Sequence, residues 1–287
     1  MHAVSLALAS AALFGAMTVA LRFALNTSRD AEVGAFVCAA VALGVAAVAA
    51  LAAGGSLGTV RDVAVFAGAG AVAPGLSQIF FVRAISEAGA ARASVVVGFA
   101  PLVAALLGLT LLEEPAKPGV LTGGLLIVLG GIALLSERVR PETFRAVGLI
   151  FAVATTVLFA SRDAFVRGYS DDAEMVASTA SAVALAGGVA AIFVYLLTTR
   201  RALPRVRRGA ALAFLPAGLL FGLSYILLFE AFYRGRVTVV TPLVATESLW
   251  TVVLAALLMR RTELVGRRLL LGACLVVAGS ALIGVFR

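Results

Sequence analysis

Roughly ten stretches of apolar residues follow one another along this chain, separated by short polar or charged punctuation. Each is close to the ~20 residues that an α-helix needs to cross the hydrocarbon of a bilayer. The pattern points to an all-α membrane protein of ten transmembrane helices. Hydrophobic residues make up 62% of the chain and charged residues 13%, against about 45–50% and about 25% in soluble domains. Little chain is left outside the spans, so an extramembranous catalytic or nucleic-acid-binding domain is excluded. The net charge of +8 then reads as a topology signal and not as affinity for nucleic acid.

The spans are read as 4–25, 32–53, 63–85, 93–112 and 118–135, then, after a charged loop at 136–143, as 146–166, 175–197, 210–232, 237–259 and 264–286. The second five repeat the first. Gly75-Leu76-Ser77-Gln78-Ile79 returns as Gly222-Leu223-Ser224-Tyr225-Ile226, 147 residues later. Phe14 and Arg22 correspond to Phe159 and Arg167 at 145, and Gly124 and Gly131 to Gly272 and Gly279 at 148. The expected units are therefore residues 1–137 and 144–287. Five is odd, so the second unit enters the membrane from the opposite side, giving two inverted five-helix repeats around a central cavity, a construction many transporters use.

Lys and Arg set the orientation. Sixteen fall on the side of the loop after the first span and six on the other, with Arg162 set aside as lying within a span. That loop is expected in the cytoplasm and both termini outside. Cys38 and Cys274 lie in apolar runs, where cysteine behaves as a small hydrophobe, so neither a disulfide nor a metal site is expected. His2 is the single histidine, which excludes a His-based metal cluster or catalytic triad, and no cofactor is expected. The first apolar run lacks a basic start and is too long for a cleaved signal.

Pro74, Pro101, Pro216 and Pro242 fall inside the third, fourth, eighth and ninth spans. A proline frees a carbonyl and bends a helix, which a bilayer tolerates where a neighbour or a wet cavity satisfies it. Gly119 and Gly123, and Ala40 and Gly44, stand at the spacing that suits close helix packing. Ionisable residues at membrane depth are candidate functional groups. Glu247 lies about ten residues into its span, beside Thr246 and Ser248. Its carboxyl could be neutral, paired with a substrate amine, a proton carrier, or bonded to a neighbouring backbone or hydroxyl group. Asp163, counted from 146 at ~1.5 Å per residue, falls near the outer end of its helix, where either a local pair with Arg167 or a role at the extracellular mouth is expected. Local pairs are likewise expected for Arg83 with Glu87 and for Glu230 with Arg234. Gln78 and Tyr225, in the variable place of the duplicated motif, and Phe99, Phe159 and Phe14 are uncharged candidates for a cavity wall.

The Leu13-Phe14-Gly15-Ala16 turn, and the order Ala93-Ser94, Pro101-Leu102, Glu113-Glu114 around the fourth span, resemble the EamA-type transporters of the drug/metabolite transporter superfamily, over essentially the whole chain. Glu247-Ser248 stands where such proteins often have Glu-Pro, and Arg261 where the first copy has Glu114. The resemblance implies export of small metabolites by alternating access across a bacterial-type inner membrane, with a small-molecule substrate and the bilayer as partners and the monomer as working unit. The amino-acid exporter branch, aromatic amino acids included, is the nearest likeness. A cavity built from Phe14, Met17, Gln78, Phe99, Pro101, Phe159, Tyr225, Glu247 and Ser248 follows, with Glu247 as coupling candidate. The alternatives are a proton-coupled multidrug exporter or a nucleoside or sugar exporter; a sugar-phosphate carrier should show basic residues at the cavity, and none is evident. A multi-span membrane enzyme is more remote, because nucleophile–base pairs and metal clusters are missing.

Overall fold

The structure, a computed structural model, describes residues 2–111, 117–137, 141, 143–201, 206–260 and 262–286. Glu113, Glu114, Arg138, Arg140, Arg205, Arg261 and Arg287 lie outside the described residues. The first half comprises α1 (Ala3–Thr27), α2 (Ala31–Ala52), α3 (Val60–Gly70), a π-helical turn (Ala71–Leu76), α4 (Ser77–Ala88), α5 (Ala90–Val97), α6 (Ala100–Leu111) and α7 (Pro118–Leu135). The second comprises α8 (Val147–Ser170), α9 (Ala177–Arg200), α10 (Arg208–Arg234), α11 (Val237–Val244), α12 (Glu247–Leu258) and α13 (Arg267–Phe286). Among the described residues nine helical stretches are long and apolar enough to cross a membrane, and Ala90–Val103 is a shorter apolar one.

Local chemistry sets the ends. Asp30 caps α2 by accepting from Val33 N at 3.1 Å, Thr59 and Asp62 close a reciprocal capping box at α3, and Pro118 opens α7, where its missing N–H costs nothing. The prolines act unevenly. Pro74 sits in the π-helical turn, and Pro216 leaves α10 continuous. Pro101 is the second residue of α6, and Pro242 lies inside α11. The fourth and ninth spans are thus broken in two, at 98–99 and 245–246. These breaks are 147 residues apart. The prolines that signal them do not correspond between the halves, but the interruptions do.

The two copies run in opposite directions. Arg22, near the end of α1, reaches Thr143 just before α8 (3.4 Å), whereas Tyr169, at the end of α8, bonds Asp62 at the start of α3 (2.8 Å). The halves are interleaved, with α1 against α10, α4 against α8, and α2 against both α9 and α10. In lipid such contacts depend on small residues and close fit, because the solvent is itself apolar. In the α7–α13 contact, a Cβ on Gly123 would meet the Gly279 carbonyl at 2.6 Å, and one on Gly130 the Gly272 carbonyl at 2.8 Å; the reverse contacts also hold. That reciprocity makes Gly123 the mate of Gly272 and Gly130 that of Gly279, a spacing of 149 that corrects the 148 read from the sequence. Gly124 and Gly131 face Leu102 and Phe99 instead. At 149 the mate of Glu114 is Glu263, not Arg261. Gly44 packs against nothing within 4 Å, while Gly218 and Gly222 of α10 receive Val41 and Val45 of α2.

Candidate functional site

The halves enclose a small cavity at the level of the broken spans, lined by α1, α8, α10, α11, α12 and both sides of the first break. Its volume is about 30 Å3, room for about two waters. Toward the terminal face it is shut by a cluster of Leu6, Ala7, Leu228, Ala231, Phe232 and Val240. Just inside that cluster, Ser10 and Ser224 are bonded reciprocally: each hydroxyl donates to the other's carbonyl at 2.9 Å, which ties α1 to α10.

Aromatic rings form the wall. Phe14 meets Phe159, its mate in the repeat, edge-on at 5.9 Å, and Phe221 at 6.3 Å. Tyr225 lies 5.5 Å from Phe221 and donates to the Ala73 carbonyl (3.3 Å) at the π-helical turn. Between these rings stand three buried ionisable side chains, Arg162, Asp163 and Glu247, exposed by 6%, 5% and 6%. Arg162 Nε and Nη2 both lie 2.7 Å from Asp163 Oδ1. The guanidinium is 5.2 Å from the centroids of both Phe159 and Tyr225, within cation–π range. Glu247 is the first residue of α12, where the helix dipole favours a carboxylate. Its side chain has no hydrogen-bond or ion-pair partner among the described residues. Thr241 Oγ1, also in the wall, is buried and unpartnered. One guanidinium therefore faces two carboxylates.

Of the residues singled out in the sequence, Phe14, Phe159, Tyr225 and Glu247 stand in the wall of this cavity. Met17, Gln78, Phe99, Pro101 and Ser248 lie outside it in this closed form. Met17 and Gln78 are fully buried, and neither amide atom of Gln78 meets the geometry of a hydrogen bond among the described residues. Phe99 packs toward Gly131 of α7, and Ser248 bonds the Ala245 carbonyl at 2.9 Å. The expected Asp163–Arg167 pair does not form: Arg167 pairs with Asp171 (2.6 Å), and Asp163 turns inward to Arg162. The cause is helix length, because α8 continues to Ser170, four residues past the expected end at 166, which sets Asp163 ~6 Å deeper than expected. Arg162, within its span, is a basic residue of the cavity wall, already neutralised by its neighbour, where the sequence suggested none. Arg83 pairs with Glu32 and Tyr195, and Glu87 with Arg145 at 3.5 Å, in place of each other. Glu230 and Arg234 pair as expected, at 2.6 Å.

A second group of charges, unread in the sequence, closes the arginine-rich face. Glu263, fully buried, accepts from the backbone N–H groups of Ala90 (3.1 Å) and Ala91 (3.4 Å), the first turn of α5. Arg22 Nε lies 2.9 Å from it, as an ion pair without hydrogen-bond geometry. Arg92 donates to both Glu137 oxygens (2.8 and 2.9 Å) and to the Glu263 carbonyl (3.0 Å). Gly89, at φ +93°, leaves room for the Glu263 carboxylate, which a Cβ would meet at 2.6 Å. The cavity is thus closed by charges on one side and by apolar packing on the other.

Residues 1–136 and 146–285 match the EamA-like transporter family. The chain belongs to that family. A solved crystal structure shares the fold of this EamA-like protein, with a TM-score of 0.68 at 18% identity over 98% of this chain and 94% of its own. No match is found among curated protein sequences. Membership makes this EamA-like chain a multi-pass membrane protein of a transporter family.

Proposed function

We propose that the protein exports small metabolites, amino acids among them and aromatic ones included, by alternating access through the central cavity. The observation that carries this reading is the cavity itself: three buried ionisable groups and an unpartnered Thr241 hydroxyl within an aromatic wall, at the breaks of two spans. Buried charges within an aromatic wall suit a solute that uses both the rings and the charges. The cavity is complete within one chain, so the monomer is the working unit. It sits in a bacterial-type inner membrane with its arginine-rich face in the cytoplasm and both termini outside.

Glu247 is the proton carrier in this reading. It is the carboxylate left over after Arg162 and Asp163 have neutralised each other, so its own charge has to come from a proton gained and lost. The surplus of one carboxylate also weighs against phosphorylated sugars. The test is counterflow in proteoliposomes with labelled amino acids, nucleosides and sugars; if no solute exchanges against itself, the transport reading fails. Glu247→Gln is expected to abolish pH-driven flux while counterflow persists. Unchanged pH-driven flux would remove Glu247 as the coupling group.

A further inference from the structure

We infer that the Arg162–Asp163 pair is the substrate receptor, and that a zwitterionic solute inserts into it: the solute's carboxylate takes the guanidinium, and its ammonium takes the Asp163 carboxylate. The inference rests on the transport reading above and names the chemistry of its binding step.

The pair is unlike the other buried ion pairs of the molecule. Arg22–Glu263 and Arg92–Glu137 join separate elements. Arg162 and Asp163 are consecutive residues of one helix, so their bond ties nothing together. Side chains at i and i+1 of a helix do not face each other, yet Arg162 reaches its neighbour through both Nε and Nη2. Taking two charges out of water costs several kcal/mol per ion, and the bond between the two ions joins no second helix in return. A pair of this kind is a closed receptor, each ion holding the other until a better partner arrives.

The details fit a ligand with both charges. Both arginine contacts go to one oxygen, Oδ1, and Asp163 Oδ2 accepts no hydrogen bond among the described residues. A guanidinium offers five N–H donors in a flat fork that suits a carboxylate. Phe159 and Tyr225 at 5.2 Å hold that fork in place whichever carboxylate it binds. The unpartnered Thr241 hydroxyl gives a further hydrogen bond at the same cavity. Charge balance selects the class. With Glu247 protonated, as its proton-carrying role requires, a zwitterion entering the pair leaves two compensated pairs, whereas a bare amine strands Arg162 and a bare carboxylate strands Asp163, each in surroundings where a lone charge is costly. The apolar part of the solute meets Phe14 and Phe221. Since the cavity now holds only about 30 Å3, insertion requires the broken spans to part, which makes pair opening and span movement one event.

The test is counterflow of labelled phenylalanine in proteoliposomes, with phenethylamine and 3-phenylpropionate as competitors. The wild type is expected to prefer phenylalanine to both. Arg162→Gln should shift the competition toward the amine, and Asp163→Asn toward the carboxylate, each on the order of tenfold, as loss of a charged hydrogen bond implies. Shifts of opposite sign cannot come from misfolding, and Arg162→Lys should keep the wild-type order with weaker binding. If phenylalanine exchanges but neither variant alters the competition, or both alter it in one direction, the receptor assignment is wrong and the transport reading stands. If the wild type exchanges other solutes but no amino acid, or nothing at all, the amino-acid reading falls and the assignment with it.

Discussion

Glu263→Gln isolates the charge that closes the arginine-rich face. The wild-type carboxylate is fully buried, accepts from Ala90 N and Ala91 N, and faces Arg22, whose side chain is 9% exposed. Glutamine keeps the volume but has one acceptor oxygen, so one of the two backbone donors at the start of α5 is left without a partner. Such a loss costs about 1–3 kcal/mol. Arg22 keeps the carbonyls of Ile85 and Ser86 (3.2 and 3.1 Å) but loses its counter-ion, and breaking a buried pair from one side costs about 3–5 kcal/mol in all. The control is Glu230→Gln, which removes the Arg234 partner from a pair whose side chains are 23% and 52% exposed; exposed i,i+4 pairs are worth about 0.3–0.5 kcal/mol. Both variants would be purified in one detergent and their unfolding compared with wild type by thermal or denaturant titration. A destabilisation several-fold larger at Glu263 is expected. Equal shifts for the two would refute the view that Glu263 is a structural charge shared between the halves.

Three further outcomes follow from the geometry. Ser10→Ala and Ser224→Ala should each cost about 1 kcal/mol, and the double variant less than their sum, because the two hydroxyls also lie 3.1 Å apart and either single variant already removes that contact; a double-mutant cycle in unfolding free energy measures this, and strict additivity would argue against coupling between the two hydroxyls. A methyl group at Gly15 would meet Trp250 Cβ at 2.7 Å and the Glu247 carbonyl at 3.1 Å, whereas Gly168 has nothing within 4 Å. Gly15→Ala should therefore push α1 off α12 and depress counterflow, while Gly168→Ala leaves it near wild type; equal activities would show that the α1–α12 approach is slack. At Asp30, burial pushes the carboxyl up, but hydrogen bonds from Arg200 (2.7 and 2.6 Å) and from Val33 N outweigh it and hold the group below the usual carboxylate range. A lowered carboxyl stabilises the fold above its unfolded value near ~4 and loses that contribution as pH falls through its folded value. Asp30→Asn, which still caps α2, should accordingly be less stable than wild type at pH 7 and equal to it under strong acid, as read from melting temperatures at the two pH values.

Much of the architecture was legible because lipid makes strong demands on sequence. Span length and the near-absence of charge set the class, and the odd number of spans per repeat set the inversion. What was lost is what depends on where a helix stops. Ending the sixth span at 166 instead of 170 moved Asp163 to the surface and hid its bond with Arg162. The breaks in the fourth and ninth spans were visible only through Pro101 and Pro242, which do not stand at equivalent places. The closing charges around Glu263 were missed because loop residues read as topology signals, although the 149-residue spacing from Glu114 to Glu263 was there to be found. Ser10 and Ser224 gave no local sign at all, since a hydroxyl in an apolar run bonds its own helix as readily as a neighbour.

The bond between Glu263 and the start of α5 spans 173 residues of sequence. At a synthesis rate of about 5–20 residues per second, ~9–35 s pass between the two reaching the membrane. Throughout that interval α5 has an open N-terminus and Arg22 lacks its Glu263 partner. The first five spans thus enter the bilayer as an unfinished body with a charged socket, and among the last loops made is the one that carries the plug. Assembly of this bundle is therefore ordered in time: the segment made early waits for the segment made late, and a chain stalled before residue 263 would expose that socket to whatever else the membrane contains.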